Sequence, residues 1–257
     1  MSVRFTILGC GSSLGIPRID GNFGKCDPKN KKNYRTRCSA LISSERKNIL
    51  IDTSPDIKYQ LIKNKVKNID GIFYTHPHAD QTHGINELRA FYIKSKKRIP
   101  VYGDYQTKRY LHTSFNYCFK GTSHYPATLK FKNLKKIHSF YSGKRKILIK
   151  SITVKHGLIN SKCYLINNKC AYASDISKFY NRDLKKLKNL KYLVIDCLRY
   201  KSHPSHFNLD DVIKLVKIIK PKNTILTNLH SDIDYSILKK KLPKNIFPAY
   251  DGLSFLI

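Results

Sequence analysis

Acidic side chains are scarce in this chain: 17 Asp and Glu stand against 49 Lys and Arg among 257 residues, leaving a formal net charge of +32. Long apolar runs are missing as well. No stretch reaches the roughly 18 consecutive apolar residues of a bilayer span, so no membrane partner is expected. The opening Met1-Ser-Val-Arg-Phe-Thr-Ile-Leu-Gly9 is too short in apolar content for a secretory leader and reads as a first strand. The seven cysteines are an odd number and include no C-x-x-C pair. That pattern suits reduced thiols and a cytoplasmic location better than a disulfide framework. Repeats, Ser/Gly linkers and breaks in composition are also lacking, so residues 1–257 read as one domain with ample length for a core.

What is abundant is positive charge, and it has two readings. One is a field that draws in phosphate-bearing substrates or RNA. The other is compositional, because Lys, Asn and Ile crowd every segment and Lys-Lys pairs recur at 31, 96, 135, 185 and 239 without forming one tract. The charge favours an anionic substrate without choosing one.

Apolar runs bounded by Gly, Pro, Asn or Asp predict strands at 2–8, 39–44, 48–52, 71–75 and 99–102 in the first half. The second half predicts them near 147–155, 162–167, 169–173, 192–197 and 223–228. Helical patterns fall at about 54–64, 85–94, 104–112, 178–187, 208–219 and 233–240. Asn208 reads as the cap of its helix, with Asp210 and Asp211 at the positive end of the dipole. Hairpin-like runs mixed with strand–helix units point to an α+β sandwich, two mixed β-sheets packed face to face with helices outside. The segment 113–146, carrying Tyr, Phe and Lys, is left as an insertion suited to a substrate lid.

The most informative run is Thr75-His-Pro-His-Ala-Asp-Gln-Thr-His83. His76, His78 and Asp80 alternate after a short apolar strand, so two imidazoles and a carboxylate can converge beyond its end. Those donors suit a divalent transition metal, and three protein ligands with an open position is the pattern of a catalytic site. Three further residues end apolar runs in the same way: His156, Asp175 and His230. Asp52 is a fourth, read as support behind the ligand loop.

In that order and spacing these residues resemble the metallo-β-lactamase fold superfamily of metal-dependent hydrolases, nearly end to end. Gly9-Cys-Gly-Ser-Ser-Leu-Gly-Ile-Pro17, Arg35-Thr-Arg-Cys38, His203-Pro-Ser-His206 and Tyr250-Asp-Gly-Leu253 are similar to its phosphoribosyl 1,2-cyclic phosphodiesterase branch. The resemblance implies an αββα sandwich with two divalent metal ions, zinc or manganese, at one edge between the sheets. It implies that His76, His78 and His156 hold the first ion, Asp80 and His230 the second, and that Asp175 bridges them. Two departures stand out. Members usually carry His after the motif aspartate, where this chain has Gln81, a weaker oxygen donor that shifts preference towards harder ions. His83 lies two residues on, roughly 200° round a helix and away from the site. Cys10, Cys26 and Cys38 are too scattered for the structural zinc of some members.

The expected activity is hydrolysis of a small cyclic phosphate or nucleotide-like phosphodiester by water activated at the metals. Asp80 would orient that nucleophile, and His206, ahead of His203, would protonate the leaving oxygen. Arg18, Arg35 and Arg37 are the candidates for binding substrate phosphate, with Ser12 and Ser13 behind them. A tRNA 3′-processing endonuclease and a catalytically degenerate RNA-binding member are the alternative functions. A homodimer is compatible with the sequence.

Overall fold

The computed structural model describes residues 3–143 and 145–257. Two seven-stranded sheets are stacked on one another, one built mainly from each half of the chain. The first contains β1 (Arg4–Gly9), β2 (Ser39–Ser44), β3 (Lys47–Ile51), β4 (Gly71–Phe73), β5 (Ile99–Gly103) and β6 (Leu129–Asn133). The second contains β7 (Ile137–Ser142), β8 (Arg145–His156), β9 (Ile159–Ile166), β10 (Cys170–Ala173), β11 (Tyr192–Asp196), β12 (Asn223–Thr227) and β13 (Ile246–Pro248). β14 (Ser254–Leu256) returns to the first sheet and pairs antiparallel with β1. The spatial orders are β14-β1-β2-β3-β4-β5-β6 and β13-β12-β11-β10-β9-β8-β7. Each sheet is antiparallel on one side and parallel on the other, the change falling at β3 and at β10.

Period-2 alternation sorts the side chains into layers. Phe5, Ile7, Ile42, Ile49, Ile51 and Phe73 of the first sheet meet Tyr164, Ile166, Tyr172, Val194 and Ile225 of the second in a central core. Their neighbours Leu8, Leu41, Leu50 and Ile72 point outward to a second core with the helices on that side. Leu193, Ile195 and Leu226 do the same for the other sheet, under Val212, Leu215 and Leu238. The helices are α1 (Ile57–Lys63), α2 (Ala79–Thr82), α3 (Arg89–Ser95), α4 (Tyr105–Ser114), α5 (Asn116–Phe119), α6 (Asn181–Leu184), α7 (Leu209–Ile219) and α8 (Tyr235–Lys241). This is the αββα sandwich expected. Asn208 caps α7 in a reciprocal capping box with Asp211.

The segment 113–146 is not a lid. It carries α5 and then β6 and β7, which close one edge of each sheet and carry the chain from the first sheet to the second. β13 and β14 close the other two edges. None of these four was legible as a strand: β13 and β14 are only three residues long, and β6 and β7 mix apolar with polar residues. An edge strand is covered on fewer sides, so it needs little apolar content, and Lys130 and Lys132 in β6 are typical edge residues. The helix expected at 178–187 is only the single turn α6 followed by a 3₁₀ turn at Lys185–Leu187. No helix among the described residues is long and apolar enough to cross a membrane. All seven cysteines are buried and unpaired.

Candidate metal centre

Parallel strands aligned in register deliver their C-terminal ends to one line, and the site sits on that line. Ala173 of β10 pairs with Ile195 of β11, and Asp196 of β11 pairs with Thr227 of β12. Asp175, Asp196 and Asn228 therefore leave neighbouring strands side by side. Across the gap, Asp52 follows the end of β3 and β4 runs out into the ligand loop. Asp52 and Asn228 both adopt the left-handed conformation, with φ of 61° and 59°, which turns the chain sharply at the strand end. His156 is the last residue of β8.

His76, His78 and His156 bring one ligand atom each to within 4.8 Å of one another, and His156, Asp175 and His206 do so as well. The hydrogen bonds settle which ring nitrogens face inward. Asp52, fully buried, accepts from the Thr75 amide at 2.7 Å and from its hydroxyl at 2.8 Å. That hydroxyl proton is then spent, so His76 Nδ1–H donates to Thr75 Oγ1 at 3.0 Å. His76 Nε2 is left buried with no partner. His156 Nδ1–H donates to the Ser205 carbonyl at 2.8 Å, which frees its Nε2 lone pair, 3.4 Å from His78 Nδ1. Asp175 Oδ2 is a second buried atom without a partner. Orphaned buried polar atoms are costly unless something binds them. A cation at the His76, His78 and His156 cluster would satisfy the first, and Asp175, which converges on His156, is placed to share it.

Electrostatics agree. Burial pushes the His76 pKa down to about 3, against the pull of Asp175, and lowers His78 and His156 in the same way. Neutral imidazoles are the form that ligates. Asp175 is buried, yet His76, His156 and His206 hold its pKa below the usual carboxylate range. Burial and the neighbouring Asp175 raise Asp80 to about 6, and Gln81 Nε2 donates to its Oδ2 at 3.1 Å.

His206 and Asp196 form a separate pair. Asp196 is fully buried and lies 2.6 Å from His206 Nδ1. Burial opposes charge on His206, but Asp196 outweighs it, by its charge and by its hydrogen bond, and pushes the pKa up to about 9. Asp196 also accepts from the Ile176 amide at 3.0 Å and from Asn228 Nδ2 at 3.2 Å. His203 sits beside this pair with ring centroids 5.1 Å apart, and burial lowers its pKa, so it is neutral near pH 7.

Not every sequence candidate arrives here. His230 lines the same cavity of about 260 Å³ but turns its lone pair elsewhere. Its Nε2 faces guanidinium groups of Arg18 at 3.3 Å and Arg199 at 3.2 Å, and its Nδ1 faces Asp232 at 3.2 Å. β12 ends at Thr227, and the first residue past the strand, Asn228, lines the cavity together with His230. Arg35 is buried, its two terminal nitrogens donate to the Ile233 carbonyl and the Asn33 side chain, and it does not line the cavity of the metal centre. Arg37 is held in a two-pronged pair by Asp56, at 2.6 and 2.7 Å, and is offset for phosphate binding. His83 bonds Tyr110, away from the centre. Ser12 and Ser13 do line the cavity. Sequence reasoning missed Asp196, Arg199, Ser205 and Asn228. Asp196 carried the signal used for Asp52 and Asp175, an aspartate ending an apolar strand.

With this geometry in place, the comparisons give the family. A family model described as "Beta-lactamase superfamily domain" matches residues 47–228, and the chain belongs to that family of metallo-β-lactamase fold hydrolases. A solved structure described as a new diphosphatase from the PhnP family is 28% identical, with a TM-score of 0.88 over 100% of this chain and 98% of the other. Human tRNase Z, short form, is similar in fold at a TM-score of 0.69, 17% identical over 99% of each chain. A curated octanoyltransferase of Porphyromonas gingivalis is 29% identical over 261 residues, 99% of this chain and 52% of that protein. The chain thus spans about half the length of that relative.

Proposed function

We propose that this hydrolase cleaves a small phosphodiester or phosphoanhydride, with one divalent cation held by His76, His78, His156 and Asp175. The observation that carries the reading is the cavity where His78, His156 and Asp175 meet Arg199 and His206, the last paired with Asp196. Hydrolysis of a phosphate ester needs positive charge on the phosphoryl oxygens and a proton for the leaving oxygen, and the chain provides both. The 28% identity to a diphosphatase over nearly the whole of both chains supports the substrate class. A bound zinc or manganese ion would supply Lewis acidity and lower the pKa of a water.

The protein's own residues do the rest. Asp52 fixes Thr75, and Thr75 fixes the His76 ring and its tautomer. Asp80, at the cavity wall, accepts a proton from the attacking water and orients it. Arg199 in the cavity wall, with Arg18 behind it on His230, would bind the phosphate, whose oxygens suit guanidinium groups. His206, charged through Asp196, donates the proton to the leaving oxygen. Asp196 then holds the neutral ring until it is reprotonated. A second hollow of about 460 Å³, with Tyr34, Tyr59, Lys31 and Lys32 in its walls, shares Leu14 with the first and has room for the rest of the substrate.

The test is an assay of the purified chain with zinc or manganese against a five-membered cyclic phosphate ester, a dinucleoside diphosphate and a precursor tRNA. Cleavage of a small ester or anhydride, abolished by Asp175→Ala, is expected. Cleavage of the precursor tRNA alone would replace this reading with the endonuclease one. RNA binding without any hydrolysis would point to a degenerate member.

A further inference from the structure

Two amide side chains hydrogen-bond carboxylates that a second cation would need. Gln81 is fully buried within the single turn α2, and its Nε2 donates to Asp80 Oδ2 at 3.1 Å. Asn228 follows β12, and its Nδ2 lies 3.4 Å from Asp175 Oδ1 and 3.2 Å from Asp196 Oδ1. An ionised carboxylate only accepts, so each amide presents its NH₂ end to it. Both hydrogens of Asn228 are committed to carboxylates in this way. Asp80 joins neither group of three converging ligand atoms found among the described residues. His230 offers its lone pair to two arginines, and those guanidinium groups would repel a further dication.

We infer that this chain holds one divalent ion, at His76, His78, His156 and Asp175, and that the amides of Gln81 and Asn228 replace a second ion by hydrogen-bonding the carboxylates it would need. The inference rests on the proposed function only in taking an ion to bind at the histidines. A second ion needs at least three donors free to turn towards it. Here the candidates are Asp80, tied to Gln81; one oxygen of Asp175, tied to Asn228; the far end of Gln81; and His230, tied to Arg18 and Arg199. Turning Gln81 over would set its Oε1 against the Asp80 carboxylate, oxygen against oxygen, an arrangement stable only with a cation between them. The hydrogen-bonded arrangement needs no cation between the two side chains, and it leaves Gln81 Oε1 as the one buried atom of the pair without a partner. Positive charge at this end of the cavity then comes from Arg18 and Arg199 instead of from a metal.

The chain would be stripped of metal, reconstituted with excess manganese or zinc, desalted and measured by inductively coupled plasma mass spectrometry. One ion per chain is expected. The manganese form should give the resolved hyperfine spectrum of an isolated ion in electron paramagnetic resonance, not the exchange-broadened spectrum of a pair. Gln81→His combined with Asn228→His should raise the count to two and broaden that spectrum. Two ions per wild-type chain would overturn the inference while leaving the hydrolase reading intact. No bound ion, together with no hydrolysis, would overturn both. A double variant that folds and still holds one ion would overturn the assignment to the amides. If the double variant fails to fold, the wild-type count and spectrum decide the matter.

Discussion

Replacing Asp196 by Asn tests the proposed proton donor with little change of shape. Asp196 is fully buried, lies 2.6 Å from His206 Nδ1, and its charge and hydrogen bond together lift His206 from 6.5 to about 9 against the effect of burial. A general acid must be protonated to act, so activity that depends on His206 is present below about pH 9 and lost above it. Asn keeps the volume and removes the charge, and burial then leaves the imidazole at or below its ordinary 6.5. At about pH 8 the protonated fraction falls from about nine-tenths to about three hundredths, so kcat/KM for a substrate with a poor leaving group should drop about thirtyfold. The gap should narrow on lowering the pH towards about 6. The assay is the pH profile of kcat/KM for both proteins, with circular dichroism to confirm folding. Substrates carrying a nitrophenolate leaving group, which needs no proton, should be nearly indifferent to the change. Nitrogen-15 imidazole shifts would give the His206 pKa directly. An alkaline limb that stays in place in a folded Asp196→Asn protein would remove His206 as the acid.

Thr75→Val breaks the link from Asp52 to His76 and should weaken metal affinity about 10- to 100-fold without unfolding the protein, measured by competition with a chromogenic chelator. Arg199→Ala should raise KM for a phosphodiester by about tenfold or more while changing kcat less, because a charge-assisted hydrogen bond contributes about 1.5–3 kcal/mol. A KM unchanged within error would place the phosphate elsewhere. Gly84→Ala should cost stability by about 1–3 kcal/mol in urea denaturation. An added Cβ there would stand 2.0 Å from the Ser54 carbonyl oxygen, in the stretch that joins the ligand loop to the end of β3.

Much of the site was legible because it is written locally. His76, His78 and Asp175 follow parallel strands, whose ends open towards a shared crevice, and His156 ends the antiparallel strand β8 at the same edge. The same rule applied to β11 would have found Asp196. The errors are equally instructive. His230 was read as the end of a seven-residue run, but β12 stops at Thr227, and Asn228 turns with a positive φ. The strand expected at 223–228 ends one residue earlier, so Asn228 as well as His230 reaches the cavity. Arg35 and Arg37 looked like phosphate binders, because nothing local reveals that one is buried against Ile233 and the other clasped by Asp56.

By itself, then, the sequence determined the layered sheets through apolar alternation, the capped helix α7, and a histidine-rich metal centre placed after β4. Those features depend on side chains within a few residues of one another, whose geometry the backbone period dictates. Tertiary structure alone decided the four edge strands, the commitment of each lone pair and guanidinium, and the pairing of His206 with Asp196. Those depend on which distant segment supplies the partner. An edge strand is specified by the neighbour it joins, and a lone pair is free or taken according to a donor that arrives from another strand.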